Sequence, residues 1–465
     1  MLQRLRDARA EVLHCRFMDF PGRWQQASFQ VETLRVEDLE RGFGFDGSLL
    51  QGWRDINEGD MVLVPDADTL RPDPLGHTPA MTAVCDIKDP VTRKTYSRDP
   101  RSIARRAEAA LIESGVADTA YFAPELEFFV FDRVRFDQRP HTAYYEVGSV
   151  EGPWERGRRD GPLPGGLQMR PGQGMFPLPP QDTLLRLRGR MVSLLGEVGV
   201  PVRCHHHEVA PAGQCEIDLA HLGLLAAADA LTATRQIVRE AAAEAGQVAT
   251  FMPKPMHGCN GSGLHVHFSL FKDGDPLFAG RRYAGLSQPA LHALGGLLRH
   301  MPALLAFTNP TVNSFKRLRP GFEAPTRLSY ASRNRDAAIR IPVYHQTPER
   351  RRLELRFPDP LANPYLAYAA ITLAALDGIR HGLDPGDPMD LLEPAAEAPA
   401  DNPERLPDDL TGALEALERD HGFLVADGVF PPDVIAAWIR NKRAQELKPM
   451  AEHVHPMEYR MYFDN

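Results

Sequence analysis

A chain of 465 residues exceeds what one small core organises, so a large domain with at least one smaller companion is expected. Its 43% hydrophobic and 25% charged residues are those of an ordinary soluble globular protein, and a net charge of −9 argues against nucleic-acid binding. No apolar run approaches the ~20 residues of a membrane span, and the acid-bearing first residues lack an apolar signal core, so neither a membrane anchor nor a secretory signal is expected.

The first hundred residues read as short strands and turns, with strands at Val12–Met18, 61–64 and 82–86 and a turn at Asp19-Phe20-Pro21-Gly22. A helix is expected over 101–114, with alanines on one side, Arg and Glu on the other, and Pro100 at its start. The aromatic run at 122–131, FAPELEFFVF, predicts a strand. A Gly-, Pro- and Arg-rich stretch from 139 to 181 predicts a long irregular excursion. Helices are expected at 183–198, 222–245, 288–306, Pro364–His381 and 432–445, with strands at 202–209, 263–270, 338–342 and 352–357. An Ala/Pro/Glu-rich segment at 395–406 reads as a surface excursion. Strands and helices mix without regular βαβ alternation, which favours an α+β fold.

The five cysteines, Cys15, Cys85, Cys204, Cys215 and Cys259, are scattered and form no Cys-x-x-Cys pair. They point to free thiols in a reducing compartment, and the cytoplasm is the expected location. Cys204 and Cys259 lie near histidines, but the spacing fits no zinc template.

Side chains two apart on a strand face the same way. Glu125 and Glu127 therefore share one face, with Leu126, Phe128 and Val130 on the other. His265, His267 and Ser269 share a face of a second strand, and Glu354 and Arg356 of a third. Glu208 closes the run His205-His206-His207-Glu208, and Glu216 follows in Ala212-Gly213-Gln214-Cys215-Glu216. Any one of these strands reads equally as the solvated face of a half-buried sheet. Several together, dominated by carboxylates with one imidazole, carry the ligand chemistry of hard divalent ions, Mg²⁺ or Mn²⁺. Arg317, Arg335, Arg340, Arg352 and Arg356 form a second group suited to carboxylates and phosphates. Metal ligands plus an arginine cluster are the equipment of phosphoryl transfer, although no Walker-type loop or kinase signature is present. Asn260-Gly261-Ser262-Gly263, just before the His265 strand, reads either as an ordinary turn or as a close approach of backbone to ligand.

Taken in order, FDGSLLQGW, DMVLVPDADT, RDPRSIARRAE, APELEFFVFD, HHHEVAPAGQCE, NGSGLHVHFSL, NPTVNSFKRLRPGFEAP, RNRDAAIRIP and RRLELRFPDPLANPYLA resemble glutamine synthetase of the bacterial type I class. The resemblance covers nearly the whole chain. It implies an N-terminal β-grasp domain over 1–102 and a catalytic domain over 103–465, whose antiparallel sheet lines a funnel. It also implies a homo-oligomer, a dodecamer of two hexameric rings with active sites between subunits. By the same resemblance, Glu127, Glu208 and Glu216 hold one metal, and Glu125, His265 and Glu354 hold the metal on the ATP phosphates. Asn260, Gly261, Arg317, Arg335 and Arg356 bind glutamate and the transferring phosphoryl group; His267, Ser269, Arg340 and Arg352 belong to the ATP side. Asp46, donated across the subunit boundary, takes a proton from ammonium, and Glu323 shields the intermediate.

The sequence departs from that family at four places. Asp46-Gly47-Ser48-Leu49 stands where the family reads Asp-Gly-Ser-Ser, and Gly174-Met175-Phe176 where it reads Gly-Tyr-Phe. Leu49 and Met175 replace hydroxyls of the ammonium pocket by apolar surface, which leaves two substrates open, ammonia or a substituted amine giving a γ-glutamyl amide. The segment Met389-Asp390-Leu391-Leu392-Glu393-Pro394 lacks the tyrosine that some members adenylylate, so control by that modification is not expected. Glu349 stands where a lysine is common on the nucleotide side. A non-catalytic relative would have eroded metal ligands; here all six candidates are intact.

Overall fold

Alternating burial along Val12–Met18 (β1) sends Leu13, Cys15 and Phe17 into a core that Leu63, Cys85 and Ile87 share. The computed structural model describes residues 1–464 except 51, 53–58, 77, 156–165, 345–346 and 392–404. Short helix α1 (Leu2–Asp7) precedes β1, which pairs antiparallel with β2 (Trp24–Gln30) around the expected Asp19–Gly22 turn. After α2 (Val36–Arg41) come β3 (Phe43–Asp46), β4 (Asp60–Pro65), β5 (Arg71–Pro72) and β6 (Ala80–Lys88). The resulting sheet has the order β2-β1-β6-β4-β3, and β1 lies parallel to β6.

The second part opens with α3 (Pro100–Glu113), whose first amides are capped by Asp99 with Pro100 in the first turn. Then β7 (Thr119–Phe131) runs through the middle of a large sheet and leads into a protruding hairpin, β8 (Arg133–Arg139) and β9 (Thr142–Gly148). After α4 (Leu185–Glu197) come β10 (Val202–His207), β11 (Gln214–Leu219), β12 (Leu222–Gly223), α5 (Leu224–Glu244), β13 (Val248–Thr250), β14 (Leu264–Lys272) and β15 (Asp275–Pro276). Next are α6 (Gln288–Thr308), α7 (Val312–Arg317), β16 (Tyr330–Ala331), β17 (Ile339–Arg340), β18 (Leu353–Leu355) and α8 (Pro364–His381). The chain finishes in α9 (Leu410–Arg419), α10 (Gly422–Val425), α11 (Pro432–Lys442), α12 (Lys448–Glu452) and α13 (Pro456–Tyr462). The sheet order is β10-β11-β7-β14-β18-β17-β16, with β7, β11, β14 and β18 antiparallel to their neighbours.

The α+β class is as expected. Helices α5, α6 and α8 present buried apolar faces to the main core, and the opposite face of the central strands carries the polar side chains. One reading needs correction: part of the 139–181 stretch is strand β9, which completes a mostly exposed hairpin where Val134 and Phe136 stand opposite Val147 and Tyr145. Of the excursion read at 395–406, residues 395–404 lie outside the described residues, as do 392–394 of the adenylylation segment. No helix among the described residues is long and apolar enough to cross a membrane.

Candidate active site

The register of the central strands decides which acids meet. His265 on β14 stands opposite Glu125 on β7, Glu216 on β11 opposite Glu127, and Glu354 on β18 opposite both His267 and Arg340. On the reverse face Leu126, Phe128, Val266 and Leu355 are buried in the core, so the polar row cannot turn away without exposing them. The polar row lines a cavity of about 210 Å³.

Glu125, Glu127, Glu208, Glu216, His265 and Glu354 all line that cavity. So do Asn260, Gly261, Glu323, Arg335, Arg340 and Arg356 from turns and short strands, and Arg317 from the end of α7. His267 and Arg352 connect to it from behind: Arg352 Nε lies 3.0 Å from His267 Nδ1, whose Nε2 lies 2.6 Å from Glu125 Oε1. Ser269 follows on the same face of β14 and is buried. Asp46 stands exposed at the end of β3, where the Ser48 hydroxyl and amide donate to its carboxylate at 2.6 and 2.9 Å and hold its pKa below the ordinary range. Among the described residues Asp46 does not line the cavity of its own chain.

Among the described residues, three groups of ligand atoms come within 4.8 Å of one another: Glu125, His265 and Glu354; His206, Glu208 and Glu216; and Glu125, Glu216 and Asp218. The first is the set expected from the resemblance. The second holds His206 where Glu127 was expected; Glu127 lies beside it, cross-strand from Glu216. Burial and then Glu127 raise the Glu208 carboxyl to about 7, and burial with Glu125 and Glu208 raises Glu216 well above the ordinary range. Like charges packed this closely disfavour one another's ionised form. Glu125 is the opposite case: burial works against its charge, but His267 and His265 outweigh it and hold it low. Glu354 is held at about 2 against its burial, by His267, Arg356 and Arg340. Oxygen donors with one or two imidazoles, and carboxylates that repel each other when bare, fit divalent cations.

The arginines are fixed by backbone. Arg317 donates through Nη1 to the carbonyls of Phe357 and Pro358, 3.0 Å each, and through Nη2 to that of Arg356 at 2.9 Å. Arg356 donates to the Arg335 carbonyl at 2.9 Å and to Glu354 at 2.8 Å. Asn260-Gly261-Ser262-Gly263 makes this packing possible. A Cβ on Gly261 would lie 2.2 Å from the Pro253 carbonyl, and one on Gly263 would lie 2.5 Å from Arg317 Nη2.

Several residues of the site escaped the sequence reading. Arg203 bridges Glu125 and Asp218 at 3.1 and 2.5 Å, and Gln214 donates to Glu127 at 3.1 Å and to the Gly261 carbonyl at 3.0 Å. For Asp218 a signal existed, since it sits two positions beyond Glu216 on one strand. Met175 also lines the cavity. Its loop is held by His207, whose Nδ1 lies 2.8 Å from the Gly174 carbonyl and whose Nε2 lies 3.0 Å from buried Glu151.

Comparison with known proteins agrees with this geometry. Residues 9–90 match the glutamine synthetase beta-Grasp domain and residues 97–462 the glutamine synthetase catalytic domain. The glutamine synthetase of Aquifex aeolicus (strain VF5) is 47% identical over 458 residues, 98% of this chain and 96% of that protein. The cryoEM structure of Plasmodium falciparum glutamine synthetase superposes with a TM-score of 0.90 at 28% identity, covering 99% of this chain and 98% of that one. A GmaS/ADP complex gives 0.81 at 28% identity, covering 100% and 99%. With both domain families matched in order over almost its full length, the chain belongs to the glutamine synthetase family.

Proposed function

We propose that this protein is an ATP-dependent, divalent-metal-dependent ligase that joins glutamate to ammonia through γ-glutamyl phosphate. The observation that carries the proposal is the convergence of Glu125, Glu127, Glu208, Glu216, His265 and Glu354 on one cavity that Arg317, Arg335, Arg340 and Arg356 also line. A carboxylate is a poor electrophile, so ATP must first phosphorylate the γ-carboxyl of glutamate. Arg317, Arg335 and Arg356, with Asn260 and Gly261, hold glutamate and the transferring phosphoryl group by charge-assisted hydrogen bonds. Arg340, Arg352, His267 and Ser269 form the nucleotide side. Two sets of side chains would hold Mg²⁺ or Mn²⁺, Glu127, Glu208 and Glu216 at one position and Glu125, His265 and Glu354 at the other. When bound, these ions neutralise charge developing on the phosphates. Glu323, whose φ of +54° presents it from a tight turn into the cavity, excludes water from the acyl phosphate. Asp46 takes the proton from ammonium, since only the free base is nucleophilic.

The exposed position of Asp46, away from its own chain's cavity, supports sites completed by a neighbouring subunit's N-terminal domain (residues 1–102) docking on a catalytic domain (103–465), in a dodecamer of two hexameric rings. Exposed Met457, Tyr459, Tyr462 and Phe463 on and after α13 supply apolar surface for such contacts. Five free thiols support a cytoplasmic location.

The purified protein should release phosphate from ATP only with glutamate and an amine both present, and Glu127→Ala should abolish it. Release independent of glutamate would defeat the proposal. Met175 in the cavity wall, and Leu49, 83% exposed beside Asp46, favour a second reading in which a substituted amine is accepted. Steady-state rates with ammonium against a panel of alkylamines decide it: a clear preference for millimolar ammonium removes the second reading.

A further inference from the structure

The loop that carries Glu323 leaves α7 at Arg317 and returns to the protein at Ala324. Both ends are fixed: Arg317 donates to three backbone carbonyls, and Leu318 and Ala324 are buried. Between them Arg319, Pro320, Gly321 and Glu323 are exposed, and Gly321 and Glu323 have φ of +85° and +54°. Phe322 is the half-buried residue of this stretch. Phe322 and Glu323 both line the active-site cavity.

The Phe322 ring is met by a charge. Lys254 Nζ lies 3.7 Å from its centroid, where an ammonium is drawn to the negative face of the ring. The same ammonium donates to the Cys259 carbonyl. Lys254 is not among the residues that line the cavity. Its backbone is clasped by one side chain: the Lys254 amide donates to Asn313 Oδ1 at 2.7 Å, and Asn313 Nδ2 donates to the Lys254 carbonyl at 3.0 Å. Asn313 belongs to α7, the helix from which the loop departs. Lys254 therefore has a fixed base, and it reaches the tip of a loop that is otherwise exposed. A residue with a Cβ is disfavoured at positive φ, so Glu323 keeps its conformation only while its neighbours hold it.

We propose that Lys254 is a positioning residue of the ligase: by holding the Phe322 ring it keeps Glu323 over the cavity until the amine attacks. The inference rests on the function proposed above. Without the contact the loop opens more often, and water reaches γ-glutamyl phosphate. Water adds to the γ-carbonyl carbon, the bond from that carbon to the phosphate oxygen breaks, and glutamate, inorganic phosphate and a proton leave. A cation–π contact biases such an open–closed balance by roughly 2- to 30-fold.

Two measurements on the intact oligomer test this. Hydrogen exchange of residues 319–324 in the ligand-free protein reads the loop. The ratio of phosphate released from ATP and glutamate without amine to that released with saturating amine reads the leak. In Lys254→Gln the exchange should quicken and the ratio should rise, each at least threefold, with KM for ATP within twofold of wild type. Lys254→Arg, whose guanidinium also stacks on an aromatic face, should restore both. Phe322→Leu should leak alike, and Lys254→Gln added to it should change the ratio by less than twofold, because one shared contact is lost only once. That variant carries the test if Lys254→Gln fails to fold. Unchanged exchange would overturn the contact as the loop's anchor. Faster exchange with an unchanged ratio, or a double variant that multiplies the two single effects, would overturn the positioning role. Wild-type phosphate release independent of glutamate would defeat the ligase reading, whereas exchange, which needs no substrate, still decides the anchor.

Discussion

Gly263→Ala tests the packing that holds the site together. An added Cβ would stand 2.5 Å from Nη2 of Arg317 and 3.0 Å from Nε2 of His265. Arg317 cannot retreat freely, because its two terminal nitrogens already donate to the carbonyls of Phe357, Pro358 and Arg356. The obstructed nitrogen is the one bound to Arg356, so that bond at least must lengthen or break. A hydrogen bond from a charged group contributes about 1.5–3 kcal/mol. If that loss falls on the transition state, kcat/KM for glutamate drops roughly 10- to 150-fold, at about 1.4 kcal/mol per factor of ten. Phosphate release is measured against glutamate at saturating ATP, amine and metal, with thermal melting as a control for the fold. Gly189→Ala is the matched comparison: it lies in α4, where an added Cβ meets nothing within 4 Å. Activity of Gly263→Ala within twofold of wild type would refute the argument that this glycine exists to admit Arg317.

Gly189→Ala itself should keep full activity and gain about 0.5–1 kcal/mol, the helix-interior preference for alanine, read as a higher denaturation midpoint. Arg101 joins Asp66, Asp86 and Asp229 at 2.9, 2.7 and 2.9 Å with its side chain 3% exposed, tying the N-terminal sheet to α5. Arg101→Met leaves Asp66 and Asp86 only Arg105 as a cationic partner and Asp229 only the Tyr365 hydroxyl, and should cost about 3 kcal/mol in urea denaturation; a loss below about 1 kcal/mol would show the network to be dispensable. Buried His300 lies 2.8 Å from Asp420 and 3.0 Å from Asp377. Burial opposes its charge, but the two aspartates outweigh it and raise its pKa. Its stabilisation is therefore complete below the unfolded value near 6.5 and fades as pH climbs through the raised folded value. The Tm gap between wild type and His300→Phe should be wider at pH 6 than at pH 9, and a pH-independent gap would contradict this.

Alternation made the faces legible. Leu126 and Phe128 had to be buried, so Glu125 and Glu127 had to share the other side, and the structure has them so. The start of α3 was legible from Pro100. Strand β11 announced itself poorly, because every residue from Gln214 to Leu219 is buried and the polar–apolar contrast disappears. β17 and β18 lie inside the strands expected at 338–342 and 352–357, though shorter, whereas β16, two residues long, is too short for a period to emerge. His206 stood in plain sight within a run of three histidines, yet nothing local chose it over His205 or His207.

Composition, periodicity and the family-like segments thus pointed from sequence alone to an α+β protein with candidate ligands for hard metal ions on its strand faces and a set of arginines suited to anions. Folding decided which of them are neighbours. His265 meets Glu125, and Glu216 meets Glu127, only because β14 and β11 flank β7 in one register. That register is set by burying the reverse faces together, a property of the assembled core that no single strand contains.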